Sequence, residues 1–172
     1  MSKLNLSVQY ADTSHNWGDV LPRPLLRRWV KAALQVDAAL TIRFVDEVEG
    51  RRLNAEFRGK DYPTNVLTFT YDDDINELPE EVRAAIAADE GEQIEADIIL
   101  CGAVLQREAA EQGKTIIEHA AHLVVHGVLH AQGFDHIEDE EAEIMENLET
   151  QIVQGLGFVD PYAAERQGAQ PL

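Results

Sequence analysis

The chain has 172 residues, 45% hydrophobic and 27% charged, a size and balance suited to one domain with a real core. Its formal net charge of −18 argues against a loose, sequence-independent grip on nucleic acid, because phosphate affinity comes from Lys and Arg. A bilayer span needs roughly 20 apolar residues in a row and none is present; a lone cysteine, Cys101, excludes an internal disulfide and a thiolate-rich metal site.

The opening MSKLNLSVQYADTSHNW lacks an apolar stretch of signal-peptide length, and with the single cysteine this points to a reducing cytoplasm. Leu4, Leu6, Val8 and Tyr10 alternate with polar residues, the period of a half-buried strand. Pro22 and Pro24 open a helix with an apolar face of Leu25, Leu26, Trp29, Val30, Ala33 and Leu34. A second strand is expected over Leu40 to Val45, and a helix over Glu47 to Phe57, stopped by Gly59. Val66 to Tyr71 reads as a third strand. Residues 72–95 are acidic, a long loop with a short surface helix after Pro79. Ile98 to Cys101 is a compact apolar strand.

Gly102 to Gln112 is helical and ends at Gly113. A long apolar helix follows from Ile116 to Gln132, with Gly133 as its stop. The last helix, Asp139 to Gln154, turns Ala142, Met145, Leu148, Ile152 and Val153 to the core, and its acidic start suits the positive end of the helix dipole. Strands interleaved with helices give one α/β (α+β) domain over residues 1–165, with 166–172 a tail expected to be mobile.

The charge is uneven. Between positions 23 and 60 lie nine of the fourteen basic residues against five acids, a net +4, which leaves −22 for the rest. A basic region on an acidic body can grip RNA locally while the global field repels loose binding; taken without the metal motif, solvated helix faces are the plainer explanation.

The stretch HGVLHAQGFDH carries the chemistry. His126 and His130 are four apart and share one face of a helix. Gly133 permits a sharp turn at positive φ, which can return His136 to the same metal ion. Three imidazoles leave a fourth tetrahedral position open, as catalytic zinc requires, although imidazole also suits nickel, copper and iron. His122 and His126 form a second i,i+4 pair without a glycine turn or a third ligand. His122 is expected as a hydrogen-bonded partner in or beside the core, His119 on the helix surface. Asp135 either orients a ligand's other N–H or caps the next turn.

The spacing matches that of metzincin proteases, in which a glutamate after the first histidine takes a proton from zinc-bound water. Here that position is Gly127, and neither Glu118 nor Glu138 replaces it by spacing. The protease reading loses its mechanism.

HGVLHAQGFDH resembles the H-G-x-L-H-x-x-G-x-D-H of the YbeY family, bacterial ribosomal RNA maturation factors and metal-dependent endoribonucleases. RGKDYPTNVLTF (58–69) is similar to a second family block, with Thr68 where serine is more usual. LTIRFVD (40–46), LNAEF (53–57), DIILC (97–101) and DHIEDEEAE (135–143) extend the resemblance over about residues 4–165; the acidic segment is longer than the family norm, and Ala96 stands where glycine is common. The resemblance implies a mixed, mostly parallel four-stranded sheet packed with helices, with the metal site on a long helix and the turn after it. It implies one zinc ion on His126, His130 and His136, and Arg58 facing the metal cleft to stabilise phosphate charge, with Lys60 on the rim; a surface ion pair is the plainer role for Arg58. It further implies action on ribosomal RNA, at the 3′ end of the 16S molecule, in maturation and ribosome quality control, and association with the small ribosomal subunit and its proteins. A metal-stabilised assembly factor that binds without cutting is the rival reading.

Overall fold

The protein, seen here as a computed structural model, is described over residues 3–70, 79–82, 93–134 and 139–158. Strand β1 (Leu4–Tyr10) is followed by a short helix α1 (Trp17–Val20) and by α2 (Arg23–Ala33). Then come β2 (Asp37–Val45), α3 (Glu47–Arg58), β3 (Val66–Thr70) and β4 (Gln93–Cys101), and three helices, α4 (Gly102–Gln112), α5 (Ile116–Ala131) and α6 (Asp139–Gly155). The four strands form one sheet in the order β1-β2-β4-β3. β1, β2 and β4 run parallel, and β3 is antiparallel to β4. This is the mixed, mostly parallel four-stranded sheet that the family resemblance implies.

Register explains the two faces. Leu6, Leu40 and Ala96 are aligned across three strands, as are Val8, Ile42 and Ile98, and Tyr10, Phe44 and Leu100. These rows face the main core, which α2 and α5 close with Leu26, Trp29, Val30, Val124, Val128 and Leu129. Each such side chain taken from water contributes about 1.5–3 kcal/mol. On the opposite face a smaller cluster of Val45, Leu67, Ile99, Cys101 and Val104 packs with Leu53 of α3. Nearer the strand starts that face is open, and Asn5, Ser7, Ala39, Thr41, Glu95 and Asp97 are among the residues that line an open pocket of about 300 Å³.

That openness corrects two strand starts. β4 begins at Gln93 and β2 at Asp37, earlier than Ile98 and Leu40, because strand residues that face water need no apolar alternation. Residues 93–95, expected in the acidic loop, are strand. The helix expected after Pro79 is seen only at residues 80–82, and Tyr71, most of the acidic segment and the tail lie outside the described residues. No described helix is long and apolar enough to cross a membrane.

Local chemistry fixes the helix ends. Asp46 caps α3 by accepting from the Glu49 amide at 2.8 Å, and Gly59 ends it at φ +69. Thr115 caps α5 by accepting from the Glu118 amide at 3.1 Å. α5 is the central element, packed on α2, α4, α6, β3 and β4.

Candidate metal centre

Along α5 the burial pattern has a period of four. Ala120, Ala121, Leu123, Val124, Val125, Gly127, Val128, Leu129 and Ala131 are buried, whereas His122, His126 and His130 are half-buried. A helix enclosed on nearly every side thus keeps one line open toward water, and that line is imidazole. The His126 and His130 rings are parallel within 5°, with centroids 6.3 Å apart. The His122 ring stands at 80° to that of His126, 6.5 Å away.

Hydrogen bonds set which nitrogen of each ring carries the proton. His130 Nδ1 donates to the Phe134 carbonyl at 3.1 Å, and a carbonyl only accepts. His126 Nδ1 meets Glu149 Oε1. In both rings the lone pair then resides on Nε2, the form in which imidazole binds a metal. The donor set fits a zinc-type ion as far as it is described: two imidazoles, one helical turn apart on one open face.

The turn is built as the spacing requires. α5 ends at Ala131, and Gly133 adopts φ +100, which a side chain would strain. Gln132 anchors the turn to α2: its Nε2 donates to the Ala33 carbonyl at 2.8 Å, and its Oε1 accepts from the Gln35 amide at 2.7 Å. A polar residue directly after a helix gave no sequence signal for that contact. His136 and Asp135 lie outside the described residues, so no described group of three ligands forms.

Glu149 is the residue that sequence reasoning missed. It is fully buried on α6, with Oε2 3.0 Å from His122 Nε2 and Oε1 on His126 Nδ1. Its carboxylate thus spans the two rings, one oxygen on His122 Nε2 and the other on His126 Nδ1. The available signal was its place on the apolar stripe, four residues from both Met145 and Val153, which are buried to 1%.

His119 is a correction. Expected on the helix surface, it is 3% exposed, because α4 covers that side of α5. Its Nε2 lies 2.9 Å from Glu108 Oε1, which also accepts from Asn65 Nδ2 at 3.0 Å. Burial pulls the His119 imidazole below its ordinary range, against the opposing pull of Glu108.

Arg58 is the last residue of α3 and is exposed, as is Lys60 just beyond it. The neighbouring Phe57 packs edge-on against Phe69 of β3, centroids 4.9 Å apart. Among the described residues no hydrogen bond or ion pair joins Arg58 or Lys60 to the histidines. Arg51 on the same helix is held by Asp61 through two bonds of 2.7 and 2.9 Å.

The model of the family described as Endoribonuclease YbeY matches residues 12–157. The chain belongs to the YbeY family. It is 62% identical to Endoribonuclease YbeY of Herminiimonas arsenicoxydans over 94% of this chain and 96% of that one. Against the YbeY protein of Janthinobacterium sp. (strain Marseille) it is 56% identical, covering 94% of this chain and 95% of the other. The solution structure of TM1509 from Thermotoga maritima is similar in fold, with a TM-score of 0.53 and 25% identity over 95% of this chain and 93% of that one.

Proposed function

We propose that this YbeY-family chain is a metal-dependent endoribonuclease of the cytoplasm that matures ribosomal RNA, with zinc on His126, His130 and His136. The observation that carries the reading is the pair of parallel imidazoles on the open line of α5, each with its Nδ1 hydrogen-bonded so that Nε2 holds the lone pair. Bound there, zinc supplies Lewis acidity toward a phosphate oxygen and a water of lowered pKa.

The chain's own groups do the rest. Arg58 and Lys60 are exposed cations at the end of α3. A guanidinium matches two phosphate oxygens at once, and the charge that grows as a phosphodiester is cut strengthens that contact. Gly127 offers no general base, so the nucleophile is either a water or the RNA 2′-hydroxyl, and in either case its proton passes to solvent. The substrate assigned is the 3′ end of small-subunit ribosomal RNA, in maturation and quality control, with the small subunit and its proteins as partners. The net charge of −18 supports a face that docks a basic protein beside the RNA. It also supports the second reading, a metal-stabilised assembly factor whose main work is binding.

Purified chain and a precursor of small-subunit RNA test this. Cleavage is expected, lost on chelation and restored by zinc. A single 2′-deoxy substitution at the cut site then separates two routes: attack by water survives it, and attack by the 2′-hydroxyl does not. No cleavage, with tight binding of the RNA retained, supports the assembly factor instead.

A further inference from the structure

We propose that Glu149 is a positioning residue for the metal centre, holding the His126 ring so that its Nε2 faces the ion while His122 fixes the carboxylate from the other side. This rests on the metal reading of His126 given above.

The Glu149 side chain is 1% exposed and lies on the apolar stripe of α6 between Met145 and Val153. A carboxylate in such a place is disfavoured unless its oxygens are paired. Here both are engaged, one by each histidine. The histidine side chains are more open, 14% for His122 and 25% for His126. Exposure therefore rises stepwise from the carboxylate to the ring that carries the ligand nitrogen.

The geometry suits orientation better than packing. An apolar residue of equal volume would fill the same space without burying charge. A carboxylate accepting from Nδ1 does what an apolar residue cannot. It keeps the proton on Nδ1, leaves the lone pair on Nε2, and stops rotation of the ring. His122, nearly perpendicular to His126, braces the second oxygen and prevents the carboxylate from swinging. Three side chains from two helices thus set one ligand atom, and the contact also joins α5 to α6 beside the site.

The test is zinc affinity of the full chain, by competition with a chromophoric chelator, for wild type, Glu149→Gln and Val153→Ala. Val153 is buried one turn further along α6 and controls for a loosened helix. Glu149→Gln is expected to weaken zinc by about ten- to a hundredfold, with Val153→Ala within about twofold of wild type. Cobalt in place of zinc is expected to give altered visible bands in Glu149→Gln alone. Equal zinc affinity in Glu149→Gln and wild type overturns the proposal, and so does an equal loss in Val153→Ala. Wild type that binds no zinc overturns the metal reading together with it.

A measurement on wild type decides the matter even if Glu149→Gln fails to fold. Nitrogen-15 spectra of the zinc-loaded chain are expected to show His126 protonated at Nδ1 and ligated through Nε2. Ligation through Nδ1 overturns the proposal.

Discussion

A Cβ on Gly127 would stand 3.1 Å from Ile98 Cγ2, so the helix that carries the histidines and the inner strand β4 meet closely at this position. The position where a metzincin keeps its base is therefore filled by the sheet. Gly127→Ala sets overpacking of about 1–3 kcal/mol against a gain in helix propensity of about 1 kcal/mol. A net loss of about 0–2 kcal/mol is expected in denaturant unfolding. Gly127→Glu adds a buried, unpaired charge and is expected to cost about 3–5 kcal/mol without creating peptidase activity. A stable Gly127→Glu chain would show that α5 does not press on β4.

Gly102→Ala is expected to be the more damaging of the two alanine substitutions. Its Cβ would lie 2.4 Å from Trp17 Cζ2. Trp17 cannot yield, because its indole N–H donates to Asp12 at 3.0 Å and its ring stacks on Phe44, centroids 5.7 Å apart. A loss of about 3 kcal/mol is expected, read as a shift of the unfolding midpoint. An unshifted midpoint would mean that Trp17 has room.

Stability is expected to fall as pH drops below 6.5. Burial of His119 lowers its imidazole from the ordinary value of 6.5, so the unfolded chain binds the extra proton. Stability tied to this group is then full above 6.5 and is lost as pH falls toward the folded value. His119→Gln is expected to flatten that decline. Asp12 acts in a separate, lower window. Burial raises its pKa, but hydrogen bonds from Ser14 and Trp17 together hold it below its ordinary value of 3.8. An identical slope in wild type and His119→Gln between pH 7 and pH 5 would contradict the assignment.

Arg58→Ala is expected to leave folding nearly unchanged, within about 0.5 kcal/mol for an exposed site, while cleavage falls about a hundredfold. The loss should appear in kcat, because the charge that Arg58 meets grows only as the bond breaks. Zinc content is expected to be unaltered. Unchanged cleavage by Arg58→Ala would remove Arg58 from the site.

Much of this was legible in the sequence because periodicity reports burial. The apolar rows of the sheet and the buried length of α5 follow from it directly. Gly133 was legible too, since a positive φ is something a glycine advertises. What periodicity hid were the exceptions. Glu95 and Asp97 face the open side of the sheet, so the start of β4 reads as loop. The four residues of α1 are too few to show a period. Glu149 and His119 are polar residues buried by a neighbouring helix, and a single helix's pattern does not reveal what packs against it. Gly127 announced the missing base, but its packing against Ile98 needed the fold.

Cleavage of a small-subunit RNA precursor by rigorously purified wild type and His126→Ala, with zinc measured on both, tests the central claim most directly. The account predicts close to one zinc per wild-type chain with cleavage, and the loss of both in His126→Ala. Equal cleavage by the two proteins, or cleavage by wild type stripped of metal, would contradict it.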